Sequence, residues 1–125
     1  MTVILDAAAL IALDRNERAM WTRLKSVVLS GDIAVTHGGV LGQVWRGGPR
    51  QARLAQALAG IEVRPLDEQL ARAAGELLAV SSMSDVIDAA VVLLSTDGDT
   101  IVTSDLPDLE RLVEHAGRHV ELISP

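Results

Sequence analysis

Three aspartates in this chain follow or precede apolar runs in a way that can gather carboxylates at one place. Asp6 ends the run Val3-Ile4-Leu5, and Asp105 ends Thr100-Ile101-Val102-Thr103-Ser104. Asp85 opens the segment from Ser84 to Leu94, which reads as a helix capped by Ser84. That helix feeds the strand 100–103 through the turn Asp97-Gly98-Asp99, so it must run antiparallel to the strand. Its N-terminus then lies beside the strand's C-terminal end, and Asp85 lies beside Asp105. In open α/β sheets this is the edge where ligands bind. Carboxylates gathered there repel by roughly 3 kcal/mol per pair at ~5 Å and an effective dielectric of ~20. A divalent cation removes that penalty, and hard carboxylate oxygens suit Mg²⁺ or Mn²⁺. Asp88 lies one turn after Asp85 on the same helical face, as a fourth acid or a support for the others.

Each acid also has a simpler use. Asp85 in a first helical turn complements the macrodipole, and Asp105 can cap the helix that follows it. Asp6 is harder to explain so, because an aspartate directly after a buried strand competes with apolar packing. Three acids at one edge favour a metal site. Asp97, Asp99 and Asp108 read as turn and capping residues.

The elements that position these acids alternate. Strands are predicted over 2–5, 33–35, 61–64, 100–103 and 119–123. Helices are predicted over 7–13, 15–29, 37–46, 49–59, 67–80, 84–96 and 105–116. Helical spacing of Met20, Leu24, Val27 and Val28 supports the second helix. Thr36 is the expected cap of the third, Gly47-Gly48 its stop, Pro49 the start of the fourth, and Asp67 the cap of the fifth. Strands alternating with helices imply an α/β fold, a mostly parallel sheet of about five strands with helices on both faces. No repeat, linker or low-complexity segment interrupts the pattern, so residues 1–125 read as a single domain.

Composition sets further bounds. The 125 residues are 49% hydrophobic, without Phe or Tyr and with Trp21 and Trp45 as the only aromatics, so the core must be aliphatic. Either a partner covers part of so much apolar surface, or the composition is simply alanine-rich. A net charge of −6 argues against nucleic-acid binding over the whole surface but leaves room for a local basic track. Arg46, Arg50 and Arg53 supply one candidate at a helix junction, serving as a phosphate track or as a solvated face. Arg46 and Arg50 are the candidate contacts to such a phosphate backbone. Trp45 can stack on a base, although a tryptophan in an amphipathic helix more often packs in a core or interface. Absence of cysteine removes disulfides and thiolate metal sites. Asp6 interrupts the first apolar run and no basic region precedes it, so no signal peptide is expected. The longest apolar stretch, around 86–94, contains Asp88 and is too short to span a bilayer. A cytoplasmic location is the expectation.

Other α/β chemistries lack their residues. A haloacid-dehalogenase-like phosphatase needs an aspartate two residues after the first, where this chain has Ala8. A receiver domain needs a late lysine, whereas Lys25 is the only lysine. No GxGxxG or P-loop pattern occurs. His37, His115 and His119 share no metal-ligand spacing and read as solvated or capping residues.

Four stretches in order carry a resemblance: Val3–Asp6, Gly39–Gly48, Ser84–Ala90 and Ile101–Asp105. Together they resemble a PIN domain, and more narrowly a VapC-type toxin ribonuclease of a bacterial toxin–antitoxin pair. The resemblance runs over essentially the whole chain. It implies an α/β/α sandwich with a five-stranded, mostly parallel sheet in which the first and fourth strands are neighbours. It also implies Mg²⁺- or Mn²⁺-dependent endonucleolytic cleavage of RNA, a homodimer, and inhibition by a cognate antitoxin protein. Asp6, Asp85 and Asp105 match three of the family's four core acids, and Asp88 matches an additional acid of many relatives. Thr103 and Ser104 match hydroxyl residues that support the last acid or its bound water. The family's second core acid, a glutamate, corresponds to Gln43 here. Glutamine keeps the shape and one acceptor but no charge, so it binds a cation more weakly and cannot act as a general base. The resemblance therefore implies either a weakened ribonuclease or a catalytically impaired PIN-fold module that binds antitoxin and RNA.

Overall fold

The computed structural model describes residues 1–125. Its first half contains β1 (Thr2–Leu5), α1 (Ala7–Asp14), α2 (Arg18–Leu29), β2 (Ile33–His37), α3 (Gly38–Val44), a 3-10 turn Pro49–Gln51, and α4 (Ala52–Leu58). The second half contains β3 (Glu62–Arg64), α5 (Glu68–Ser81), α6 (Val86–Leu93), β4 (Thr100–Val102), α7 (Leu106–Ala116) and β5 (Glu121–Ile123). The five strands form one sheet in the order β3-β2-β1-β4-β5, and every pairing is parallel.

This order follows from the sequence pattern. Val3-Ile4-Leu5 and Ile101-Val102 are buried on both faces, the mark of central parallel strands. They pair directly, Leu5 opposite Val102, as the family resemblance implies. The chain first winds from β1 outward through β2 to β3, then returns through α5 and α6 to β4 on the other side of β1. The order therefore reverses between β1 and β4. Such a switch point opens a crevice at the C-terminal ends of its two strands.

The core is aliphatic throughout, with Ile4, Leu5, Leu10, Leu13, Ile101, Leu109 and Leu112 fully buried. Helices α1 to α4 pack among themselves, and α5 to α7 form the second group. No helix is long and apolar enough to cross a membrane.

Several element ends differ from expectation for identifiable reasons. The second helix starts at Arg18, because Asn16 adopts a left-handed φ of 57° and turns the chain after α1. Thr36 does not cap α3. It remains in β2, where its hydroxyl donates to Leu5 O at 2.8 Å, and His37 takes the cap. Ser84 likewise does not cap α6, since Asp85 is itself the N-cap and accepts from the Asp88 amide at 3.0 Å. Pro49 begins a 3-10 turn before α4. Asp67 caps α5 as expected, accepting from Leu70 N at 2.9 Å.

Candidate active site

The ends of β1 and β4 carry the first two acids. Asp6 continues the strand pairing through its amide, which donates to Val102 O at 3.1 Å. Its carboxylate is buried and caps α1, accepting from Ala8 N at 2.9 Å and Ala9 N at 3.4 Å. Burial raises its pKa, opposed by the Thr103 hydroxyl and the two amides, while Asp105 adds repulsion. Thr103 is fully buried between the two acids, and its hydroxyl accepts from Asp105 N at 3.0 Å. Ser104 is exposed beside it.

Asp105 stands at the N-cap position of α7 without forming a capping hydrogen bond, keeping only a looser contact with Asp108. Its exposed carboxylate is therefore not committed to the helix. Its pKa is raised by partial desolvation and by the Asp108 and Asp85 carboxylates.

Asp85 and Asp88 occupy the start of α6, as the antiparallel placement requires. Asp85 is exposed. Asp88 is pushed up to about 7, first by burial and then by repulsion from Asp85, Asp105, Asp6 and Asp108. Four carboxylates thus act on one. Asp108, read from the sequence as a capping residue, belongs to this edge. Its three-residue spacing from Asp105 was the available signal.

Gln43 lies exposed near the end of α3, one turn beyond Gly39. Gly39 faces Ile87 in the first turn of α6, so α3 approaches the acidic turn on the face that carries Gln43. The loop after α3 is held by Gln51. Its buried side chain accepts from Arg46 N at 2.6 Å and Gly47 N at 2.9 Å, and donates to Val44 O at 3.0 Å. This side chain satisfies groups left over at the helix end, a role not seen in the sequence. Arg46 turns its guanidinium back onto Gly42 O and Trp45 O. Arg50 is exposed in the 3-10 turn, and Arg53 donates to Asn16 Oδ1 at 3.1 Å.

The donor set suits a hard divalent cation in kind: carboxylate oxygens on two strand ends and one helix start, with burial and then the neighbouring carboxylates pushing Asp88 up to about 7. No three of these side chains converge to ligating distance as they stand. Gathering them requires rotation about side-chain bonds, which exposed Asp85 and Asp105 can make.

Neither a protein-family model nor a curated protein matches the sequence. Among solved structures, a chain of VapBC2 from Rickettsia felis, crystallised bound to a DNA fragment from their promoter, aligns with a TM-score of 0.70. The alignment covers 98% of both chains. The fold is PIN-like. At 14% identity, the likeness extends to the arrangement of strands and helices. In this PIN-like fold, Asp6 follows β1, Asp105 lies beyond β4 and Asp85 precedes α6, all on the C-terminal side of the β1–β4 switch point.

Proposed function

We propose that this chain is a single PIN-like domain acting as a Mg²⁺- or Mn²⁺-dependent endoribonuclease toxin, paired with a protein antitoxin and weakened by Gln43. The observation that carries this reading is the placement of Asp6, Asp85, Asp88 and Asp105 about the C-terminal edge of β1 and β4, near enough that the other three help to raise the Asp88 pKa. Asp6, Asp85 and Asp105 would hold the cation, with Asp88 assisting. A cation so held lowers the pKa of bound water and stabilises charge on a scissile phosphate. Thr103 fixes the backbone of Asp105 and favours the ionised form of Asp6. Exposed Trp45 offers a face for a base, and Arg46 and Arg50 offer charge for the RNA backbone. RNA cleavage by the purified chain should proceed in Mn²⁺ and cease in EDTA. Asp85→Asn should reduce it by at least about 10²-fold. Cleavage indifferent to EDTA would exclude the metal reading.

A second reading is a PIN-fold module that binds antitoxin and RNA with little catalysis. The uncharged amide of Gln43, in place of a carboxylate, favours it. Both readings include partners. Exposed Val28, Leu29 and Ile33, with Leu29 87% exposed, form apolar surface of the kind that association covers. Light scattering should give twice the 13.3 kDa chain mass for a homodimer. A monomer at high micromolar concentration would remove the homodimer and leave the antitoxin untouched.

A further inference from the structure

His37 is fully buried, yet it is neither a ligand candidate nor part of the apolar core. It lies at the end of β2, and both ring nitrogens are engaged. Nδ1 accepts from Gly39 N at 3.0 Å, capping α3. Nε2 lies 3.0 Å from Ile87 O in the first turn of α6. An acceptor at Nδ1 and a carbonyl at Nε2 are satisfied together only by the neutral imidazole with its proton on Nε2. The ring therefore ties the start of the helix carrying Gln43 to the turn between Asp85 and Asp88.

Packing reinforces the tie. A Cβ built on Gly39 would stand 2.5 Å from Ile87 Cδ1 and 2.9 Å from His37 Cε1. Glycine here leaves room for the Ile87 side chain and the imidazole between α3 and α6, and a larger residue would have to displace them. Serine or threonine would have capped α3 equally well. Neither is long enough to bond across to α6 as well, so capping alone does not account for histidine here.

We propose that His37 is a positioning residue that sets the acidic first turn of α6 against α3, and so fixes where Asp85 and Asp88 stand relative to Gln43. The clamp itself is independent of catalysis; its purpose, holding the cation-binding turn in register, rests on the metal reading above.

The two ring functions separate by substitution. In His37→Asn, the amide oxygen replaces Nδ1 and keeps the α3 cap, while the bond to Ile87 O is lost. In His37→Gln, the longer amide can donate to Ile87 O in place of Nε2. Hydrogen exchange at the Asp88 and Ala89 amides should accelerate at least about tenfold in His37→Asn, with central amides such as Ile4 and Ile101 unchanged, and should recover in His37→Gln. Unchanged exchange at 88 and 89 in folded His37→Asn would overturn the proposal. Should His37→Asn fail to fold, Gly39→Ala retains the imidazole but crowds Ile87, and the same two amides decide. Nitrogen NMR of the intact protein should show a protonated Nε2 and bare Nδ1; the opposite tautomer would also overturn the clamp. Mn²⁺ titration then tests its purpose, with affinity about tenfold weaker in His37→Asn than in wild type. Equal affinity would overturn the positioning role. No Mn²⁺ binding by wild type would sink the metal reading, while the exchange data still decide the clamp.

Discussion

Gln43→Glu is expected to raise Mn²⁺-dependent RNA cleavage by about 10²-fold or more, the usual scale for a positioned acid–base group. The residue is exposed, one helical turn beyond the Gly39–Ile87 contact that brings α3 against the acidic turn. A carboxylate there can accept a proton from a water that the amide can only hydrogen-bond. On the proposed reading the same substitution adds a negative charge to the site of Asp85, Asp88 and Asp105. In EDTA it should therefore lower the melting temperature, and in Mn²⁺ it should tighten cation binding. Opposite shifts in the two buffers distinguish a residue at the cation site from one elsewhere on the surface. Expression without an antitoxin should slow bacterial growth more than the original sequence does. If cleavage, melting and metal affinity all stay unchanged, Gln43 lies outside the catalytic position, and the impaired-module reading loses its basis.

The sheet was legible because its central strands carry uninterrupted aliphatic runs, and because Gly31-Asp32, Gly60 and Asp97-Gly98-Asp99 separate helices from the strands that follow. Asp6 and Asp105 could be placed at one edge from topology alone, since Asp6 directly follows β1 and Asp105 comes within three residues of the end of β4. Asp85 followed from the short turn that forces α6 antiparallel to β4. Caps were less legible. Thr36 and Ser84 are good capping types, but a cap is chosen by where the backbone leaves the extended region. At both places the chain turns one residue later, at His37 and Asp85. Side-chain bonds to the backbone left no signature in residue type or spacing. Gln51 reaches back to Val44, and His37 reaches Ile87 fifty positions away, so neither could be found by spacing. Asp108 reads from the sequence as a capping residue, since acids are common in a first helical turn. Only the spatial arrangement shows that its charge also bears on Asp88.

Asp88 should make the protein less stable as pH rises from about 4 to about 7. Its folded pKa is pushed up to about 7, whereas an unfolded aspartate titrates near ~3.9. Between these values the folded state holds the extra proton, so deprotonation favours unfolding. Above about 7 both states are ionised and the penalty is fully developed. Asp6 and Asp105 are raised as well and act with the same sign. His37, lowered by burial, acts oppositely on acidification below ~6.5, because the unfolded imidazole then binds the proton more readily. Comparison with Asp88→Asn cancels that contribution. In EDTA at pH 8, Asp88→Asn should be more stable than wild type by about 2 kcal/mol after allowance for solvent screening, or roughly 8 °C in melting temperature. At pH 4.5 most of the difference should disappear, because Asp88 is protonated in the folded protein there. Adding Mn²⁺ at pH 8 should reverse the order, since the cation stabilises a folded state that offers it carboxylates and the amide offers one fewer. A stability difference independent of pH would show that burial and neighbouring charge do not hold Asp88 protonated. A pH-dependent difference that Mn²⁺ leaves untouched would confirm the raised Asp88 pKa and remove Asp88 from the cation's ligands.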